Sequence, residues 1–142
     1  MKKIVSLFIV AILFSQALSS CKKKEETPPP PPPSAKEIIS ADVWNYYKYE
    51  TYDNNDNLVG TNQMNLIYEF TPADNFYIKA TNGSLSNYGT YELNEDSDPK
   101  TLQLYYHNGN QDLYEIQKLE DEEMILKEDR VGGYYLLYFN RN

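Results

Sequence analysis

The sequence predicts an all-β fold: an eight-stranded antiparallel up-and-down barrel with a short helical turn on its N-terminal side. Three observations predict it. From about residue 43 onward, large apolar residues alternate with polar ones at a period of two, the mark of strands with one buried face. Turn clusters rich in Asn, Asp and Gly interrupt this alternation about every 13 residues. No connection is long enough for a crossover helix, so neighbouring strands pair as hairpins. Eight such strands can close on themselves and so remove their exposed edges. An open two-sheet sandwich would need a longer connection than any present.

The elements follow in order. Ser34-Ala35-Lys36-Glu37 has the form of a capping box, and Ile38 and Ile39 follow it, so one helical turn is expected there. Strands are expected at 43–52, 63–70, 76–80, 85–93, 101–106, 112–119, 124–128 and 134–141. Asp53 to Asn57, Thr71 to Asn75, Thr81 to Ser84, Asn94 to Lys100 and His107 to Asn110 supply the first turns, the last with Asn-Gly at its centre.

Parity then names the inward face. Strand one contributes Trp44 and Tyr46, and strand two contributes Met64, Leu66, Tyr68 and Phe70. Tyr91 and Leu93 come from strand four, and Leu104 and Tyr106 from strand five. Tyr114 and Ile116 come from strand six, and Leu137 and Phe139 from strand eight. These fourteen are the candidate ligand-binding residues, because a barrel of this size either fills with side chains or encloses one small ligand. Strands one and eight are aromatic on both faces. Tyr47, Tyr49, Tyr134 and Tyr138 are expected outward, where a partner protein or a sugar ring could stack, or where the Ile38-Ile39 turn could act as a lid. Closure also brings the start of strand one beside the end of strand eight. Arg141 then shares the inward parity of Phe139, and its guanidinium can stack on Trp44 as a structural plug at that barrel end.

The first twenty residues read as an address. Lys2 and Lys3 precede an apolar stretch from Ile4 to Ala17, the length of a secretory signal and short for a membrane span. Leu18-Ser19-Ser20-Cys21 resembles the lipobox of bacterial lipoprotein signal peptides, and Cys21 is the chain's one cysteine. That resemblance implies cleavage before Cys21, acylation of its thiol with palmitate-class chains, and a stable membrane anchor. The chain accordingly divides into a lipoprotein signal peptide (1–20), a lipidated Cys with a charged and polyproline linker (21–34), and a barrel domain (35–142). Lys22 to Glu26 resembles an export tag of surface lipoproteins, so a lipid-anchored outer-membrane protein is expected, on the cell surface or the periplasmic face. Pro28 to Pro33 form a polyproline rod of about 19 Å at roughly 3.1 Å per residue, a stiff spacer.

Composition excludes several functions. There are 13 basic against 21 acidic side chains, for a net charge of −8, which opposes a nucleic-acid groove. One His and one Cys are too few for most zinc sites or a His-based triad. Asp53, Asn55 and Asn57 have the odd spacing of a calcium loop, but Leu58 and Met64 stand where Gly and Glu are needed. No phosphate loop or nucleophile elbow is present. No enzymatic activity, metal or cofactor is expected, and a monomer is.

Taken in order, several segments resemble one family. They are the lipobox, the Trp of strand one, Tyr68-Glu69-Phe70-Thr71 leading to Phe76, and Gly89-Thr90-Tyr91. Tyr114 to Leu119, Met124 to Lys127 and the final Arg141 complete the pattern. The chain resembles the lipocalin-like domain lipoproteins of Gram-negative bacteria over about residues 36 to 142. The resemblance implies a lipocalin-like eight-stranded barrel and the binding of a small apolar molecule inside it.

Overall fold

The computed structural model describes residues 28–141. Contacts divide the chain into two units, 1–31 and 32–142, and the barrel lies in the second. Residues 28–34 form neither helix nor strand and are exposed. The leader, the lipobox and Cys21 lie outside the described residues.

Helix α1 (Ala35–Ser40) is followed by eight strands: β1 (Trp44–Asp53), β2 (Leu58–Phe70), β3 (Asn75–Ala80), β4 (Leu85–Asn94), β5 (Thr101–Tyr106), β6 (Gln111–Leu119), β7 (Glu123–Arg130) and β8 (Gly133–Asn140). Every neighbouring pair is antiparallel, and the strands form one closed barrel. The closing ladder runs from Asn45 opposite Asn140 to Asp53 opposite Gly133. The expected strand positions hold, except that β2 begins at Leu58 and not near residue 63. Its first five residues, Leu58 to Asn62, are mostly exposed and show no apolar alternation, yet they pair with the far half of β1.

Capping determines α1. Ser34 Oγ accepts from the Glu37 N–H, and Glu37 accepts from the Ser34 N–H at 2.7 Å. The expectation that Ile38 and Ile39 cover the outer face of β1 and β8 is not met. Ile39 is fully buried within the core cluster, and its carbonyl accepts from Trp44 Nε1 at 2.9 Å. The helix therefore stops one end of the barrel. An apolar residue can gain more there, against the interior, than on a surface already covered by tyrosines and lysines.

Around this closed end the packing is dense. Trp44, Phe76, Leu102, Met124 and Phe139 are at most 1% exposed. Tyr46 stacks on Phe139 at 4.9 Å, and Tyr91 meets Phe70 edge-on at 5.2 Å. Arg141 lies with its guanidinium carbon 3.9 Å from the Trp44 ring centroid. It also donates to the carbonyls of Asp121 and Ile38, so it ties the C-terminus to α1 and to the β6–β7 turn.

Gly89 has a steric role. It pairs with Tyr106 of β5, and a Cβ there would overlap the Tyr105 carbonyl oxygen and sit 2.9 Å from Phe76 Cε1. Gly89→Ala is expected to lower stability by about 1–3 kcal/mol, because the obstacle is backbone and cannot turn aside. Arg141→Met is expected to cost a similar ~1–3 kcal/mol from the lost stack and hydrogen bonds. Urea titrations followed by Trp44 fluorescence measure both, and midpoints unchanged from wild type would contradict this account of the closed end.

Candidate functional site

The interior changes chemistry halfway along the strands. On β7 the inward positions run Met124, Leu126, Glu128, Arg130. On β6 the sequence toward the same end is Tyr114 then Asp112, and on β8 it is Phe139, Leu137, Tyr135. The half near α1 is thus apolar and filled. The other half, under the turns at 54–57, 81–84, 107–110 and 131–132, is lined by tyrosines and charges.

A cavity of about 230 Å³ occupies this open half. Its walls are the rings of Tyr46, Tyr49, Tyr68, Tyr106, Tyr114 and Tyr135, with Asp112, Glu128, Arg130 and Leu137. A cleft of about 440 Å³ adjoins it, shares Tyr68, Tyr106 and Asp112, and extends to Leu66, Ile78, Ser86 and Asn87. Because the two share three residues, we treat them as one continuous site.

Hydrogen bonds organise the charges. Asp112 Oδ2 accepts from the Tyr106 hydroxyl at 2.7 Å and from the Tyr114 hydroxyl at 3.3 Å. Arg130 Nη2 pairs with Glu128 Oε1 at 2.5 Å, with half of the arginine side chain in solvent. Glu128 is the buried charged residue of the core, only 8% exposed. Burial pushes its carboxyl above the ordinary carboxylate range, against the opposing pull of Arg130. Burial likewise pushes Tyr46, Tyr68, Tyr106 and Tyr114 upward, so all four are neutral phenols at physiological pH. Tyr46 and Tyr68 are each 7% exposed, yet among the described residues neither hydroxyl has a hydrogen-bond partner. The two hydroxyls are not sealed off: they open onto the cavity, where water or a ligand can bond to them.

The structure sorts the fourteen sequence-derived residues. Tyr46, Leu66, Tyr68, Tyr106, Tyr114 and Leu137 line the cavity or its adjoining cleft. Trp44, Phe70, Tyr91, Leu104 and Phe139 are packed into the filled half, and Met64, Leu93 and Ile116 are half-buried at its margins. Sequence reasoning missed Asp112, Glu128 and Arg130, which share the inward parity of Tyr114, Leu126 and Met124. The signal was there, but only apolar residues were followed along it.

Tyr49 is a correction. A bulge at Tyr47 shifts the β1 register between Tyr46 and Lys48, so Tyr49 pairs with Leu137 and faces inward. Tyr47 keeps its outward direction and lies 6.4 Å from Tyr138. The outer tyrosines are engaged within the chain. Tyr138 donates to Glu50 at 2.6 Å beneath Lys48, and Tyr134 donates to Asp56 while stacking on Tyr52 at 5.0 Å.

No protein-family model matches the sequence, and no curated protein matches it. Solved structures do. A lipocalin-like protein from Bacteroides uniformis superposes with a TM-score of 0.53 at 12% identity, covering 74% of this chain and 99% of its own. The barrel is lipocalin-like. An uncharacterized protein from Bacteroides eggerthii superposes with a TM-score of 0.52 at 14% identity, covering 70% and 97% of the two chains. At these identities what is shared is the fold, so the character of the lipocalin-like cavity is argued from this chain's own side chains.

Glu128 yields a pH prediction. Its raised folded-state pKa means that the ionised form costs stability above that pKa. The cost is relieved as pH falls through it toward the unfolded value. Glu128→Gln removes the cost and leaves a half-solvated Arg130 behind. The variant is expected to melt at or above the wild-type temperature at pH 7.5, with the difference shrinking as the buffer is taken to pH 4. Calorimetry across that range checks it; a variant less stable at pH 7.5 would show that the ion pair outweighs the burial.

Proposed function

We propose that this protein is a membrane-anchored, non-catalytic binding protein that holds one small molecule in the open half of its lipocalin-like barrel. A single observation carries the reading: the hydroxyls of Tyr46 and Tyr68, on rings that are otherwise buried, open into a cavity without protein partners. A ligand that accepts or donates there would satisfy them, and the surrounding rings supply apolar contact. This moves the expected ligand from largely apolar to amphipathic. The apolar half is filled by the chain itself, and the space that remains has phenols and carboxylates in its wall.

The anchor belongs to the same reading. The lipobox ending at Cys21 supports acylation and outer-membrane attachment, and Lys22 to Glu26 support display at the surface. Binding through the outer tyrosines is the weaker alternative, since the hydroxyls of Tyr134 and Tyr138 are already bonded to Asp56 and Glu50.

Two experiments test this. Cys21→Ser in the producing cell is expected to abolish incorporation of labelled palmitate and to move the protein from the membrane to the soluble fraction. Unchanged labelling and fractionation would remove the anchor. Native mass spectrometry of the Cys21→Ser chain, after incubation with envelope extract, is expected to show one added small-molecule mass per chain. That mass is expected to be lost in Tyr68→Trp, whose larger ring fills the cavity. A wild-type spectrum with no adduct would refute the pocket.

A further inference from the structure

Resting on the pocket reading above, we infer that the ligand is a small organic cation: an aromatic or alkyl amine whose ammonium pairs with Asp112 inside a cage of tyrosine rings.

Of the three charged side chains in the cavity wall, two are acids. Arg130 is already paired with Glu128. Asp112 has only the two phenolic donors on its Oδ2, and among the described residues neither a cation nor a donor on its Oδ1. Arg130 lies within the field of both acids but forms its ion pair with Glu128, so the cavity wall holds one carboxylate more than cations. An anionic ligand would meet that carboxylate and find the guanidinium taken.

The rings point the same way. The face of a phenol is the negative end of its quadrupole, and several such faces around one space favour a positive charge. The chain itself uses this wall so: the Arg130 guanidinium carbon lies 5.5 Å from the Tyr135 ring centroid. The unpartnered hydroxyls of Tyr46 and Tyr68 supply acceptors for N–H groups, and a neutral phenol can also donate to a ligand hydroxyl. Size sets the class. The inner cavity of about 230 Å³, at about 30 Å³ per water in the liquid, admits roughly eight heavy atoms, and anything larger lies in the adjoining cleft. The group that enters it is thus an ammonium carrying one ring or a short chain.

The test uses the full Cys21→Ser chain and three probes of one shape. Phenylethylamine is a cation at pH 7, 2-phenylethanol is neutral and phenylacetate is an anion. Isothermal titration is expected to rank the amine tightest, by about tenfold or more over the alcohol, with the anion weakest. The amine's advantage is expected to fall as salt is raised, while the alcohol is insensitive. Asp112→Asn is expected to erase the amine's advantage and leave the alcohol's affinity within about threefold. The comparison of probes and the salt series need no variant, so they stand even if Asp112→Asn folds poorly. An alcohol bound as tightly as the amine, or an anion bound tighter, overturns the cation assignment while the pocket stands. If none of the three binds, the cation assignment also falls. The envelope-extract spectrum then reports separately on whether the pocket holds anything.

Discussion

The ladder between β1 and β8 is the constraint on which the rest depends. Eight hairpin-linked strands have two free edges until the first meets the last, and each open edge would present a row of unpaired backbone groups. The ladder from Asn45–Asn140 to Asp53–Gly133 joins residues far apart in the chain, at opposite ends of the barrel sequence. It sets the diameter of the barrel, and with it whether the interior fills or stays open. It also brings Arg141 over Trp44, so the cation–ring stack and the helix stop are consequences of closure as much as its reinforcement.

The interior then divides by chemistry. Near α1 it has the composition of any small core: Trp, Phe, Leu and Met locked against one another. Toward the other end the same inward rows hold Asp112, Glu128 and Arg130 among tyrosines. Phenols suit this boundary because a ring can pack as a hydrophobe while its hydroxyl addresses a polar space. The filled half supplies the burial that stabilises the fold, which lets the open half hold groups that do not optimise it. Glu128, buried and pushed toward its neutral form, is such a group.

Much of the architecture was legible in the sequence, and for a simple reason. Period-two alternation and Asn/Asp/Gly turns are local signals, and a chain with only short connections has few topologies open to it. The capping box at Ser34 and the Trp44–Arg141 proximity follow from local pattern and closure. What was not legible was either unpatterned or broke the pattern. The exposed start of β2, Leu58 to Asn62, carries no alternation. The side of the barrel to which α1 packs depends on which surface lacks a cover, and that is a property of the assembled fold. The cavity was half legible: parity gave Tyr46, Tyr68, Tyr106 and Tyr114. The three charged residues lie in the same rows, where apolar alternation alone does not single them out.

The extra residue at Tyr47 acts as a phase change in the wall. Before it β1 shows the interior its even-numbered side chains, and after it the odd-numbered ones: Trp44 and Tyr46, then Tyr49. Deleting Tyr47 would leave Lys48 and Glu50 outward and Tyr49 inward, as they are. Keeping it but pairing it regularly would instead shift everything downstream by half a period, turning Lys48 and Glu50 toward the cavity and Tyr49 toward water. One backbone irregularity thus selects which of two interleaved side-chain alphabets the mouth of the barrel is written in.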